Sequence, residues 1–318
     1  MHVVAVRGTE VPGCCQNRLV ATCELVIDRP LDLRRTLSIH QRGSGDPTIR
    51  ILSDRVIRAT RTADGPATIE LVQRGNRIAV ETWGPGADRL LAAAPALVGL
   101  DDDRSGFDPA RHPLVADLDR HHPGVRIGRT GAVLEALIPA ILEQKVTGTE
   151  AWRGLRGLIR QWGEPAPGPF GLRLLPEPAV IAAIPYHAFH PLGVERRRAD
   201  LVRRVADRAN RFEEIVDLPR DAAWARLTAL PGIGPWTAAE VALRALGDPD
   251  AVSVGDFHLP NLVAFTLAGE IRGDDARMVE LLEPWRGHRA RVIRLLEVSR
   301  LRPPAFGPRY APRSIAAI

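Results

Sequence analysis

The chain has 318 residues, 45% of them hydrophobic, enough for a sizeable core and, by length, for two domains. Its 43 lysines and arginines against 38 acidic residues give a net charge of +5, a mild bias toward a polyanionic partner, and every one of those cations except Lys145 is arginine. Three cysteines, Cys14, Cys15 and Cys23, argue against a disulfide framework or a four-thiolate metal site, and no charged leader or bilayer-length apolar run is present, so the expectation is a soluble protein of the reducing cytoplasm.

The first hundred residues read as an antiparallel sheet with two helices. Leu19, Ala21, Cys23, Leu25 and Ile27 alternate as a half-buried strand does. Ile69 to Val72 and Ile78 to Trp83 flank Arg74-Gly75-Asn76 and read as a hairpin, while Pro30 to Ile39 and Ala87 to Leu97 carry helical patterns. Gly99 to Pro113 is acidic and rich in turn formers, which puts the domain boundary there, with units at 1–113 and 114–318. Beyond it the period turns helical. Val133, Leu134, Leu137, Ile138, Ile141 and Leu142 form one apolar face of a helix ending near Gln144-Lys145-Val146-Thr147. A Pro/Gly-rich loop at Glu164 to Pro169 precedes helices expected at Pro178 to Ile184, Glu195 to Arg211 and Asp221 to Leu230; Asp274 to Leu282 and Arg289 to Leu296 close the bundle.

Leu227 to Leu259, LTALPGIGPWTAAEVALRALGDPDAVSVGDFHL, is the most informative stretch. Pro231, Gly232 and Gly234 make a turn after one helix, and Pro235 is a suitable first residue for the next. Bare amides at such a tip suit an anionic oxygen such as a DNA phosphate. The second helix runs through Ala238, Ala242, Leu243 and Leu246 to a C-cap at Gly247, and Asp256 then stands between Gly255 and Phe257 in an otherwise apolar segment. Asp256 either serves chemistry or caps the following helix. Of the histidines, the pairs His121/His122 and His187/His190 lack the neighbouring ligands of a metal site and read as surface residues.

LPGIGPWTA followed by VGDFHL resembles the helix-hairpin-helix DNA glycosylase superfamily, most closely its alkylation-repair branch, 3-methyladenine DNA glycosylase II. The resemblance implies an α+β two-domain fold: an N-terminal antiparallel sheet with helices, similar to the TATA-binding protein, and a C-terminal all-α bundle. It implies that Gly232, Ile233, Gly234, Pro235 and Thr237 grip double-stranded DNA. Asp256 would promote hydrolysis of the N-glycosidic bond by stabilising an oxocarbenium-like sugar once the nucleotide is flipped out. Where bifunctional members carry an attacking lysine this chain has Trp236, so a monofunctional enzyme leaving an abasic site is expected; Trp236 would stack on the extruded base, or else be core. Gln144 and Lys145 in ILEQKVTG match the segment whose side chain fills the gap left by the flipped base; the wedge is one of the two, with Lys145 contacting phosphate if Gln144 fills the gap, or else both are a solvated helix end. Arg286, in PWRGHR, either pairs internally or reaches DNA.

Two positions that are aromatic in the family are not aromatic here, one of them Glu240. Trp236, Phe257 and Tyr186 remain as pocket aromatics; Glu240 and His258 either hydrogen-bond a different lesion or face solvent. No iron-sulfur cluster and no required cofactor are expected, but a sodium or potassium ion on the carbonyls of Thr228, Leu230 and Gly232 is. The expected enzyme is a monomer, without membrane contact, excising alkylated purines. The alternatives are a glycosylase for another damaged or deaminated base, and a helix-hairpin-helix protein that binds DNA without catalysis.

Overall fold

The computed structural model describes residues 4–8 and 20–304, with side chains from residue 20 onward; Cys14, Cys15 and Leu19 lie outside them. Strands β1 (Val4–Gly8) and β2 (Val20–Val26) pair antiparallel, followed by helix α1 (Leu33–Leu37), β3 (Ile49–Ile51), β4 (Arg55–Thr62), β5 (Gly65–Arg74), β6 (Arg77–Trp83) and α2 (Ala87–Leu97). The six strands form one antiparallel sheet in the order β1-β2-β6-β5-β4-β3. The expected hairpin is β5–β6: Arg74 lies opposite Arg77 and Gly75, at φ 60°, starts a two-residue turn whose twist suits the flanking strands. Helix α1 is shorter than its apolar pattern because the Asp32 side chain accepts from the Arg35 amide and starts the helix there.

Strands β3 and β4 escape the alternation pattern for a physical reason. In β4, Val56 through Thr60 are all buried, since Val56 joins the core beneath α1 and α2 while Ile57 and Ala59 pack on Leu172 and Leu174 from the helical part of the chain. A strand covered on both faces shows no period of two.

The rest of the described chain is helical: α3 (Pro113–His121), α4 (Val133–Leu142), α5 (Gly148–Trp162), α6 (Pro178–Ala183), α7 (Tyr186–Phe189), α8 (Arg196–Asp207), α9 (Ala209–Glu213), α10 (Arg220–Thr228), α11 (Pro235–Val241), α12 (Leu259–Ala268), α13 (Asp275–Leu282) and α14 (Arg289–Val298). Helix α4 is the hub. Nine of its ten residues are buried, its first amides are capped by the Glu213 carboxylate at 2.9 Å, and α5, α8, α9 and α11 surround it. The run expected as one helix from Glu195 to Arg211 breaks at Arg208, whose backbone (φ −112°, ψ 25°) leaves the helical region before α9 starts.

Helix α5 was not anticipated. Three glycines weaken its helical signal, yet a Cβ at Gly157 would come within 2.7 Å of Leu192 and one at Gly154 within 3.0 Å of Val194, so close packing requires two of them. A Thr147–Glu150 capping box starts it.

Charged side chains fasten the sheet to the helices. Glu135 of α4 accepts from Arg58 Nη2 at 2.5 Å, Thr60 Oγ1 at 2.9 Å and the Arg61 amide at 2.8 Å, and Glu143 takes both oxygens to Arg42 Nη1 at 2.9 Å. Within the acidic stretch 99–113, Asp102 is buried against Arg291 of α14 at 2.6 and 2.7 Å. Among the described residues no helix is long and apolar enough to cross a membrane.

Candidate active site

Two hydrophobic cores of the helical part frame the site. One holds α4, α8, Leu227 of α10 and the inner face of α11; the other gathers α3, α12, α13 and α14. Ile233 and Ala238 belong to the first, Val252 and Leu259 to the second, so the hairpin and the Asp256 segment meet where the two cores abut.

The hairpin forms as its glycines and prolines dictate. Helix α10 ends at Thr228, the Ile233 amide donates to the Leu230 carbonyl at 3.0 Å, and the buried Ile233 side chain plugs the turn into the core. Gly232 has φ 107°, where a side chain is strained, and a Cβ there would sit 2.9 Å from the Leu201 side chain, which would have to give way. Gly234 is extended, Pro235 opens α11, and the Ala238 amide returns to the Gly234 carbonyl at 3.0 Å. Arg204 of α8 donates to the Pro231 carbonyl at 3.1 Å, placing a cation beside the tip. After Val241 the helix widens into a π-turn over Ala242–Leu246 and stops at Gly247, φ 69°, the cap expected from sequence.

Asp256 faces Trp236. Its Oδ2 accepts from the indole Nε1 at 3.0 Å, and its Oδ1 accepts from the amides of His258 at 2.8 Å and Leu259 at 2.9 Å. The carboxylate therefore caps α12 and meets the tryptophan at once. Gly255 (φ 96°) turns the chain over the Trp236 Cβ, 3.9 Å from where its own Cβ would be, and its amide donates to Asp275 at 3.0 Å. Trp236 and Asp256 are each partly exposed, which leaves both within reach of a ligand and makes Trp236 more than core.

The remaining expected residues divide. Gln144 lies at the hairpin but is committed, donating to the Gly232 carbonyl and to Thr237 Oγ1, both at 2.9 Å; Thr237 is buried and holds Gln144 rather than facing outward. Lys145 is exposed, with its backbone in the left-handed region at φ 56°. Glu240 is largely enclosed rather than solvent-facing, with Oε2 on Arg244 Nη1 at 2.5 Å and Oε1 accepting from Ser253 Oγ at 2.7 Å.

Phe257 is 74% exposed, its ring edge on the ring of exposed His258, so it projects outward instead of walling a pocket. Tyr186 is not brought to Trp236; its ring meets His190 and Arg196 at the α7–α8 junction. Arg286 pairs with Glu283 at 2.6 Å on the surface, with its side chain still 68% exposed. No group of three His, Cys, Asp or Glu side chains suited to a metal occurs among the described residues.

Sequence reasoning missed the supports. Asp250, read only as part of a turn, is buried and accepts from Gly287 N, Arg289 N, the Arg289 side-chain nitrogens Nε and Nη2, and Arg220 Nη2. Burial alone would raise its carboxyl, but the bonds to Arg289 and Arg220 prevail and hold it at about 2. Ser253, buried, accepts at its carbonyl from the Asp256 amide at 3.2 Å. A serine three residues before an aspartate in a Gly-containing turn was the available signal.

No protein-family profile matches the chain. A probable bifunctional transcriptional activator/DNA repair enzyme AlkA of Mycobacterium tuberculosis is 36% identical over 157 residues, 48% of this chain and 30% of that protein, so the matched stretch spans less than a third of the relative's length. The 3-methyladenine DNA glycosylase of Archaeoglobus fulgidus superposes with a TM-score of 0.74 at 18% identity, covering 87% of this chain and 98% of that one. An 8-oxoguanine glycosylase/lyase of Clostridium acetobutylicum, bound to double-stranded DNA with cytosine opposite 8-oxoG, superposes at 0.67 and 13% identity over 94% and 99% of the two chains. Over about half its length the chain is thus similar in sequence to an AlkA-type DNA repair enzyme, and over most of its length it shares the fold of solved DNA glycosylases.

Proposed function

We propose that the chain hydrolyses the N-glycosidic bond of an alkylated purine in double-stranded DNA and leaves an abasic site. The observation that carries this reading is the carboxylate of Asp256 held against the half-buried indole of Trp236, next to the glycine hairpin. Hairpin amides and Arg204 hold phosphate, the flipped base stacks on Trp236, and Asp256 stabilises the cationic sugar and orients water. A positively charged alkylated base gains cation-π attraction from the indole.

The lyase branch needs an amine at the site, and the chain offers an indole there with its single lysine in the α4–α5 loop, which supports a monofunctional reaction. Lys145, rather than Gln144, enters the gap left by the extruded base, since the Gln144 amide is held by the hairpin. A sodium or potassium ion on the Thr228, Leu230 and Gly232 carbonyls belongs to the same reading. The Leu230 and Gly232 carbonyls each accept one internal hydrogen bond and keep a second lone pair, and an ion there would supply positive charge behind the tip amides.

The test is a panel of duplexes carrying one alkylated, deaminated or oxidised base each, scored for released base and for strand breaks. Release from an alkylated purine, with breaks only after alkali, is expected. Asp256→Asn should reduce release at least a hundredfold while duplex binding persists; full activity in that variant would end the mechanism, and breaks without alkali would end the monofunctional assignment. Because Oδ1 of Asp256 also caps α12, a purely DNA-binding protein is the second reading, and it predicts salt-sensitive binding with no base released from any duplex.

A further inference from the structure

Behind Asp256 runs a part-buried polar chain that the base-release reading does not use. Arg244 Nε donates to the Ile39 carbonyl at 3.0 Å, so the guanidinium is held from the sheet side of the molecule, and its Nη1 meets Glu240 Oε2 at 2.5 Å. Glu240 Oε1 takes the Ser253 hydroxyl at 2.7 Å, and the Ser253 carbonyl takes the Asp256 amide at 3.2 Å. Glu240 stands one helical turn after Trp236 on the same helix, so a single helix face supplies both the indole on the Asp256 carboxylate and the carboxylate beneath the turn that carries it. Each Glu240 oxygen already accepts a hydrogen bond from within the chain, and its exposure is too low for a surface role: 12% of its side chain, against 15% for Arg244.

We propose that Glu240 is a positioning residue, which through Ser253 fixes the turn that aims Asp256 at the ring of Trp236. The charge on Arg244 makes the arrangement stiff, because a part-buried guanidinium tied to the carbonyls of Ile39 and Glu240 allows its carboxylate few alternative positions. Ser253 transmits the constraint by bonding on two sides, through its hydroxyl to Glu240 and through its carbonyl to Asp256. The inference rests on the glycosylase reading for its catalytic consequence, but its structural half stands apart from that reading.

The experiment uses the full chain in three variants, Glu240→Gln, Ser253→Ala and the double, with two readouts. The first is the Trp236 indole N–H resonance in a nitrogen–proton correlation spectrum, assigned by its loss in Trp236→Phe. In both single variants it should move upfield, and its exchange with solvent should quicken at least fivefold as the bond to Asp256 loosens. The second is the single-turnover rate of base release, expected to fall 10- to 100-fold in each single variant with duplex Kd within twofold of wild type, the double being no slower than the slower single. Ser253→Ala removes one hydroxyl and keeps the ion pair, so it reports even if Glu240→Gln folds poorly. An unmoved indole resonance in Ser253→Ala, or additive rate losses in the double, overturns the proposal. Absence of base release from wild type, with the indole shifts intact, overturns the glycosylase reading and leaves the positioning role standing.

Discussion

Removing the Asp250 carboxylate tests the anchoring of the segment that carries Asp256. Asp250 is 4% exposed and accepts five hydrogen bonds, three of them from Arg289, whose own side chain is only 15% exposed. Its folded pKa of about 2 lies below the 3.8 of a free aspartate, a difference that corresponds to about 2.5 kcal/mol of stability at neutral pH. The folded value is the lower one, so this contribution is complete above the unfolded pKa and disappears as pH falls from 3.8 toward 2. By pH 3 roughly 1 kcal/mol of it is gone. Asp250→Ala removes the carboxylate outright and strands Arg289 and two amides, for a loss of about 3–5 kcal/mol. Urea unfolding of wild type and variant at pH 6 and pH 3 isolates the effect, because the other titrating groups cancel in the difference. The gap between the two proteins should be about 3–5 kcal/mol at pH 6 and about 1 kcal/mol narrower at pH 3. A gap under 1 kcal/mol, or one that does not change with pH, refutes the claim that this ion pair anchors the turn.

Two further variants separate backbone from chemistry. Lys145→Gly relieves a left-handed backbone that costs a non-glycine residue about 1 kcal/mol, and glycine's freedom in the unfolded chain returns about half of that, so stability should rise slightly in urea while base release falls at least tenfold; equal release in the two proteins would remove Lys145 from the gap. Gly232→Ala must accommodate both φ 107° and a 2.9 Å approach to Leu201, which should lower stability by about 1–3 kcal/mol and weaken duplex binding at least tenfold in a titration at low salt; undiminished binding would show that the tip amides are not the phosphate site.

The parts of the fold legible from sequence are those whose signal is local. Helices α2 and α4 begin and end where their apolar faces do, and the hairpin is written in Pro231, Gly232, Gly234 and Pro235, because backbone geometry leaves those positions few other residues. The illegible parts depend on neighbours far along the chain. Strand β4 loses its alternation to Leu172 and Leu174, and α5 carries glycines that make sense only against Leu192 and Val194. At the site the same division holds: Trp236 and Asp256 announce themselves by spacing, whereas Glu240 looks like a solvent-facing helix residue until Arg244 and Ser253 are seen to enclose it.

Sequence posed Asp256 as either cap or catalyst, and the geometry makes that choice unnecessary. A carboxylate has two oxygens, and here Oδ1 accepts from both amides that start α12 while Oδ2 has the indole as its one partner among the described residues, on a side chain that is partly exposed. The cap is what fixes the torsions of the side chain, so that the second oxygen needs no reorganisation when positive charge develops beside it. Asparagine can keep the cap through its carbonyl oxygen, but it then turns an NH2 group toward an indole N–H, and two donors repel. That substitution should therefore abolish the electrostatic role while leaving the start of α12 intact. Alanine removes both functions, so Asp256→Ala should be the less stable of the two variants by about 1 kcal/mol. Equal stabilities would mean that the two amides do not rely on Oδ1, and the alignment of the carboxylate would then need another source.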